Sequence, residues 1–147
     1  MEYIYNLFMG NERSIKKVNF EDIQQIWKNN QPILLINTLS DSEQNCLIKR
    51  TVSVKDEVRL INEYIRKPSI KIIVYGKNTS EISPYKKIEQ LTSLGFYNVF
   101  LYPGGLFEWL CLQDIYGYEE FPTTTNELDL LKFKPISAFT FRLKDID

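Results

Sequence analysis

The sequence contains no histidine and only two cysteines among its 147 residues. Without histidine the chain cannot build a Ser-His-Asp or Cys-His nucleophile pair, an imidazole metal site or histidine acid–base catalysis. Cys46 and Cys111 lie far apart in the chain, so they form no Cys-x-x-Cys zinc or redox pair, and we expect both thiols to be reduced and inert. The carboxylates are dispersed and suggest no metal cluster. We therefore expect no cofactor and no metal.

The chain also has no large excess of positive or negative charge. With 18 basic and 19 acidic residues the net charge is −1, which gives no general attraction to nucleic acid or acidic lipid. The longest apolar runs, Pro32–Ile36 and Ile70–Tyr75, are far shorter than a membrane span. Met1–Gly10 is apolar but has no basic leader of the kind that opens a signal peptide. We expect a cytoplasmic protein that binds neither nucleic acid nor membrane.

The composition that is present, 44% hydrophobic and 25% charged, is typical of one globular domain. Continuous apolar runs alternate with segments of helical periodicity, an order that predicts an α/β domain with a largely parallel sheet. The predicted strands are Glu2–Phe8 at an edge, Ile33–Ile36, a short one at Thr51–Val54, Ile70–Tyr75 and Asn98–Tyr102. The predicted helices follow an Asn19 N-cap, span Lys55–Arg66, run from an N-cap at Ser83 to Leu94, and cover Leu106–Leu112.

These elements divide the chain into three parts. Residues 1–16 are predicted to form an N-terminal strand and a connection, residues 17–117 the domain, and residues 118–147 a C-terminal extension packed on it. Within that extension Asn126–Lys132 is at most a short helix, and Ile136–Leu143 has the composition of a strand. We expect the extension to lie on the surface of the domain or to pair with an edge strand.

The best candidate site is the loop between the most apolar strand and the helix that begins at Ser83-Pro84. In a parallel sheet, ligands bind beyond the carboxyl ends of strands, and backbone N–H groups in such a loop can converge on an anion. The loop consists of Gly76, Lys77, Asn78, Thr79, Ser80, Glu81, Ile82 and Ser83.

The region from about Lys17 to Leu112 resembles a rhodanese-homology domain. The resemblance is carried by the run Gly95-Phe96-Tyr97-Asn98-Val99, the turn Gly104-Gly105 and the pair Glu108-Trp109. It implies a three-layer domain with a mostly parallel sheet of about five strands and helices on both faces. It also implies that the loop Gly76–Ser83 corresponds to the active-site loop of a sulfurtransferase or of a cell-cycle dual-specificity phosphatase.

The same resemblance shows that the reactive residues are replaced. The family's nucleophile is a cysteine at the position of Gly76, and the phosphatases carry an arginine at the position of Ile82 in the pattern Cys-x5-Arg. Ser80, Glu81 and Pro84 still match that pattern. Glycine cannot form a persulfide or a phosphoenzyme, and isoleucine cannot hold an oxyanion as a guanidinium does.

The strand Ile33–Ile36 shows the same loss. Asn37 stands where the family has an aspartate, and Leu39 stands where it has an arginine. We therefore predict a pseudoenzyme, a non-catalytic rhodanese-like domain that binds an unidentified protein partner or regulates it through the loop Gly76–Ser83. Two alternatives stay open: residual sulfurtransferase or phosphatase activity through a displaced Cys46 or Cys111, and weak binding of an anion or phospho-ligand by the loop amides.

The remaining conspicuous side chains have structural interpretations. We expect Lys77 to be solvated, Lys86 and Lys87 to form an exposed face, and Glu81 to interact with the dipole at a helix N-terminus. Cys111 is expected to be a buried packing residue. The large aromatic side chains expected in the core are Trp27, Phe107 and Trp109.

Overall fold

The structure is a computed structural model that describes residues 15–139. Its strands are β1 (Lys16–Lys17), β2 (Ile33–Asn37), β3 (Lys71–Tyr75) and β4 (Val99–Tyr102). Its helices are α1 (Phe20–Lys28), α2 (Val54–Tyr64), α3 (Ser83–Ser93) and α4 (Gly105–Tyr116), with 3₁₀ turns at Asp41–Glu43 and Leu130–Phe133. The alternation of strands and helices confirms the predicted α/β class.

All four strands are parallel and lie in the order β1-β4-β3-β2. The sheet in residues 15–139 therefore has four strands rather than about five. The predicted strand Glu2–Phe8 lies outside the described residues. The predicted strand Thr51–Val54 is wrong: Thr51 makes a single bridge to Leu35, and Ser53 then caps α2 by accepting from the Asp56 N–H at 3.3 Å.

Helices cover both faces of the sheet, as expected for three layers. On one face α1 and α4 bury Ile23, Ile26, Leu106 and Trp109 against the sheet. On the other face α2 and α3 bury a second cluster of side chains, among them Ile61, Ile88 and Leu91. The strands between the two layers are buried on both sides, because residues 34–37 and 72–75 are all buried.

The helix ends show where local sequence decides the structure. Asn19 forms a capping box with Asp22 at the start of α1, as predicted. Gly95, with φ +106°, ends α3 in a Schellman motif, in which the Phe96 N–H bonds to the Leu91 carbonyl at 3.3 Å. The predicted N-cap at Ser83 is wrong by one residue: Ile82 is the N-cap without a side-chain bond, and Pro84 is the second helical residue.

Helix α4 is longer than the predicted Leu106–Leu112 because the segment after it supplies partners. The Gln113 amide donates to the Phe121 carbonyl at 2.7 Å, and the Trp109 indole N–H donates to the Pro122 carbonyl at 3.1 Å. In place of a helix over Asn126–Lys132 there is the 3₁₀ turn Leu130–Phe133. Residues 136–139 are not in a strand, and the rest of the predicted strand Ile136–Leu143 lies outside the described residues.

Both tryptophans lie in the layer formed by α1 and α4. Trp109 is fully buried, and its ring meets that of Trp27 edge to face with centroids 5.8 Å apart. Trp27 and Phe107 are partly buried against the same cluster. Within residues 15–139 every helix falls short of the length and hydrophobicity that a bilayer span requires.

Candidate functional site

The loop Gly76–Ser83 joins β3 to α3 at the carboxyl end of the sheet. Its first residue, Gly76, is buried, and a Cβ atom built on it would lie 2.7 Å from Pro84 Cγ and 3.1 Å from Thr38 Oγ1. Contacts of Cβ atoms below 3 Å are essentially absent from real proteins. The ring of Pro84 and the hydroxyl of Thr38 therefore fill the space that a side chain at position 76 would enter.

The first two carbonyls of the loop hold the start of α4. The Leu106 N–H donates to the Gly76 carbonyl, and the Phe107 N–H donates to the Lys77 carbonyl, each at 2.9 Å. Gly105 has φ +68°, and a Cβ on it would lie 2.6 Å from the Gly76 oxygen. Only glycine permits this approach, because it combines a left-handed conformation with the absence of a side chain.

Asn78 anchors the middle of the loop. Its side chain is buried, donates from Nδ2 to the Phe133 carbonyl at 3.0 Å and accepts from the Ser80 N–H at 2.9 Å. The first bond ties the loop to the 3₁₀ turn Leu130–Phe133, and the second closes an Asx turn. Asn78 is thus an internal brace, and its side chain is not available to a ligand.

The hydroxyl of Ser83 faces the neighbouring strand end. Ser83 Oγ lies 2.9 Å from Thr38 Oγ1, and Thr38 Oγ1 also donates to the Tyr75 carbonyl at 3.3 Å. These contacts explain why Ser83 does not cap α3: its hydroxyl is engaged across the sheet. They also join the end of β3 to the segment after β2.

Two amide side chains, Asn37 at the end of β2 and Gln44, are bonded to each other across the turn after β2. Asn37 Oδ1 accepts from the Leu39 N–H at 3.0 Å and from Gln44 Nε2 at 2.9 Å, while Asn37 Nδ2 donates to Gln44 Oε1 at 3.1 Å. Asn37 and Leu39 are both buried. The pair Asn37–Gln44 closes this turn without presenting a carboxylate or a guanidinium to the loop.

The sequence predicted that Lys77 is solvated, but the structure places it in an ion pair. Its Nζ lies 2.7 Å from Glu43 Oε2, and Ser40 Oγ donates to the other oxygen of the same carboxylate at 2.7 Å. The hydrogen bond from Lys77 is the main cause that lowers the pKa of Glu43 below its ordinary value. The pair links the loop to the 3₁₀ turn Asp41–Glu43.

This ion pair makes stability depend on pH in a defined direction. Because the pKa of Glu43 is lower in the folded protein, its contribution is present above the unfolded value near 4.5 and is lost as pH falls through the folded value. We expect Glu43→Gln to cost about 0.5–1 kcal/mol at pH 7 and less at pH 3, by urea unfolding at each pH.

The matched control is Glu127→Gln. Glu127 pairs with Lys132 at 3.3 Å, and the Lys132 side chain is 53% exposed, against 26% for Lys77. Its effect at pH 7 should be smaller because solvent screens the pair. A loss for Glu43→Gln that persists undiminished at pH 3 would contradict the assignment.

Lys86 and Lys87 line a groove beside the end of the loop. Lys86 is exposed, as predicted. Lys87 was also predicted to be exposed, but it is half-buried, and its Nζ pairs with Glu57 at 2.7 Å. Glu81 precedes the N-cap of α3, so it lies outside the first helical turn. The groove has a volume of about 540 Å³, and its walls include Thr38, Leu39, Glu57, Ser83, Lys86 and Lys87.

Neither cysteine is part of the loop. Both are free thiols; Cys46 is buried, and its Sγ lies 3.6 Å from the Thr125 carbonyl. Cys111 lies on α4 and is half-buried rather than fully buried. Burial, helped by the charges of Asp114 and Glu108, raises the pKa of this thiol and so disfavours the nucleophilic thiolate. No cluster of three or more metal-ligating side chains occurs in residues 15–139.

The structure thus divides the eight predicted loop residues into two groups. Gly76, Lys77, Asn78 and Ser83 are held by internal contacts, whereas Thr79, Ser80 and Ile82 are exposed and Glu81 is partly exposed. Two residues that control the site, Thr38 and Pro84, were not among the predicted site residues. Pro84 had a sequence signal as a helix-start proline, but Thr38 had none, because its role comes from the pairing of β2 with β3.

Comparison with solved structures places this geometry in a known fold. A thiosulfate sulfurtransferase from Pseudomonas aeruginosa matches with a TM-score of 0.57 and 18% identity, over 74% of this chain and 21% of that chain. A yeast protein tyrosine phosphatase of the rhodanese family matches with a TM-score of 0.56 and 14% identity, over 80% and 96% of the two chains. A rhodanese-like domain from Anabaena matches with a TM-score of 0.52 and 21% identity, over 83% and 86%.

Comparison by sequence gives no match. No family model matches the chain. No curated protein matches it either. The chain spans about a fifth of the length of the Pseudomonas sulfurtransferase, so the likeness concerns only that part of the enzyme. The structural matches show the fold, which is that of a rhodanese-like domain.

Proposed function

We propose that this rhodanese-like domain is non-catalytic and binds a protein partner through the exposed part of the loop Gly76–Ser83. One observation carries the proposal. The place of the family's nucleophile is occupied by a glycine whose side-chain space is filled by Pro84 and Thr38. A covalent step of sulfur or phosphoryl transfer has no atom there on which to form.

The surroundings of Gly76 support the same conclusion. Ile82, at the position of the phosphate-binding arginine, is 42% exposed and offers no hydrogen bond to an oxyanion. The amide pair of Asn37 and Gln44 supplies neither a general base nor a positive charge. Cys46 is buried against the C-terminal segment, and the raised pKa of Cys111 keeps its thiol protonated.

A binding role is consistent with the contacts that fix the loop in place. Its start is tied to α4 and to the turn Asp41–Glu43, its middle to the turn Leu130–Phe133, and its end to Thr38. The residues between these ties, Thr79, Ser80 and Ile82, are exposed. A loop that is held in place before binding loses little conformational entropy when a partner docks.

The catalytic part of the proposal is tested with thiosulfate plus cyanide and with p-nitrophenyl phosphate as substrates. We expect no turnover above the buffer blank for the wild type. The variants Cys46→Ser and Cys111→Ser should behave identically to it. Turnover that either serine variant abolishes would replace the proposal with an enzyme that uses a displaced thiol.

The binding part is tested with two arginine variants on one helix. Ile82 and Leu94 flank α3 at opposite ends and have similar exposures, 42% and 46%. We expect Ile82→Arg to reduce recovery of cross-linked partner from extracts of the source cells by about tenfold, and Leu94→Arg to leave it unchanged. Equal recovery with both variants would mean that the loop is not the binding surface.

A further inference from the structure

A second concave surface lies at the opposite end of the sheet from the loop Gly76–Ser83. It is a groove of about 570 Å³ at the amino ends of β2 and β3. We call it the amino-end groove. Its apolar walls are Pro32, Ile33, Tyr64 and Ile70. Tyr64 ends α2 and is half-buried, so one part of its surface faces solvent in the groove.

The charged residues of the amino-end groove are all cationic. Lys67 and Lys71 line it, and no aspartate or glutamate does. The ion pairs among residues 15–139 use Lys28, Arg59, Lys77, Lys87 and Lys132, so neither lysine of the groove is paired with a described carboxylate. The remaining polar lining is uncharged, from Gln31 and Ser69.

The groove continues into a smaller cavity of about 290 Å³, which shares Gln31, Ile33 and Lys71 with it and adds the ring of Phe100. One carboxylate, that of Asp22, reaches this second cavity. It already accepts from the Asn19 N–H at 3.0 Å in the capping box of α1. Lys71 therefore lines both cavities and forms no ion pair with a described carboxylate.

We propose that the amino-end groove binds a small ligand with a flat apolar body and one anionic head, either a carboxylate or a phosphate. The volume lies within the range of small-molecule sites, about 300–1,000 Å³, and the site combines apolar walls with a few polar groups as such sites do. The apolar body lies between Tyr64, Pro32 and Ile33. The head lies between the amines of Lys67 and Lys71. This site is independent of the function proposed for the loop.

The test is a titration of the full chain with 2-naphthoate, followed by the amide chemical shifts. We expect saturable shifts at residues 31–33, 64 and 67–71, and none at residues 76–83. The neutral analogue 2-naphthamide should bind at least about fivefold more weakly, because it lacks the charge. Acetate, which lacks the apolar body, should produce no saturable shifts. 1-Naphthyl phosphate, compared with 2-naphthoate in the same titration, shows which head is preferred.

Single substitutions then test whether Lys67 and Lys71 bind the anionic head. Lys67→Gln and Lys71→Gln should each weaken 2-naphthoate binding by about fivefold. Lys55→Gln removes the same charge from the opposite end of α2 and should change it less than about twofold. All three lysines are exposed, so the variants are expected to fold, which circular dichroism checks. Absence of saturation at about 5 mM, shifts centred on residues 76–83, or equal weakening by Lys55→Gln overturns the proposal.

Discussion

Gly105→Ala is expected to destabilise the domain by about 3 kcal/mol. Two costs add at this position. The left-handed conformation at φ +68° is unfavourable for any residue with a Cβ. The added Cβ would also lie 2.6 Å from the Gly76 oxygen and 3.0 Å from the Asn78 nitrogen, so the loop would have to move away from α4. Urea unfolding followed by far-UV circular dichroism measures the loss.

Gly95→Ala separates the two costs. Gly95 also has a positive φ, +106°, but a Cβ there would meet nothing within 4 Å. It should therefore lose only the conformational part, about 1 kcal/mol. Equal losses for the two variants would mean that the close approach of Gly105 to the loop does not constrain the structure.

Gly76→Cys restores the residue type of the family's nucleophile, and we expect it to restore no activity. The new side chain must displace Pro84 or Thr38, which should cost about 2 kcal/mol of unfolding free energy. Even where the thiol is accommodated, Ile82 supplies no positive charge for an oxyanion. Urea unfolding and the thiosulfate assay measure the two parts.

A double-mutant cycle identifies Pro84 as the obstacle. Gly76→Ala should destabilise the wild type by more than it destabilises Pro84→Ala, with a coupling of at least about 1 kcal/mol, because removing the ring leaves room for the new methyl group. Additive losses would show that Pro84 does not fill the site. Thiosulfate turnover by a fully stable Gly76→Cys variant would show that the loop keeps a working cradle.

The regular elements with strong local signals could be predicted from the sequence. The apolar runs Ile33–Ile36 and Ile70–Tyr75 became β2 and β3, and Asn19 and Gly95 mark helix ends as expected. Strand β1 could not be predicted, because it consists of two exposed lysines at the edge of the sheet. Its strand character comes entirely from pairing with β4.

The candidate site was predictable in its position but not in its interior. The place of the loop Gly76–Ser83 between β3 and α3 follows from the order of strand and helix. That its reactive residues are replaced rests on the family pattern and stays a prediction. Contacts between distant segments are different. The 2.7 Å approach of Pro84 to position 76, the bond from Asn78 to Phe133 and the pair Lys77–Glu43 depend on how the chain folds back on itself. No local pattern encodes them.

The packing of Trp27 against Trp109 has an optical consequence. The chain has two tryptophans, and both belong to the layer of α1 and α4, while the buried cluster under α2 and α3 has none. Tryptophan fluorescence recorded during denaturation will therefore report the unfolding of the layer formed by α1 and α4. The midpoint of the emission change will coincide with that of the far-UV circular dichroism signal only where both sides unfold in a single cooperative event.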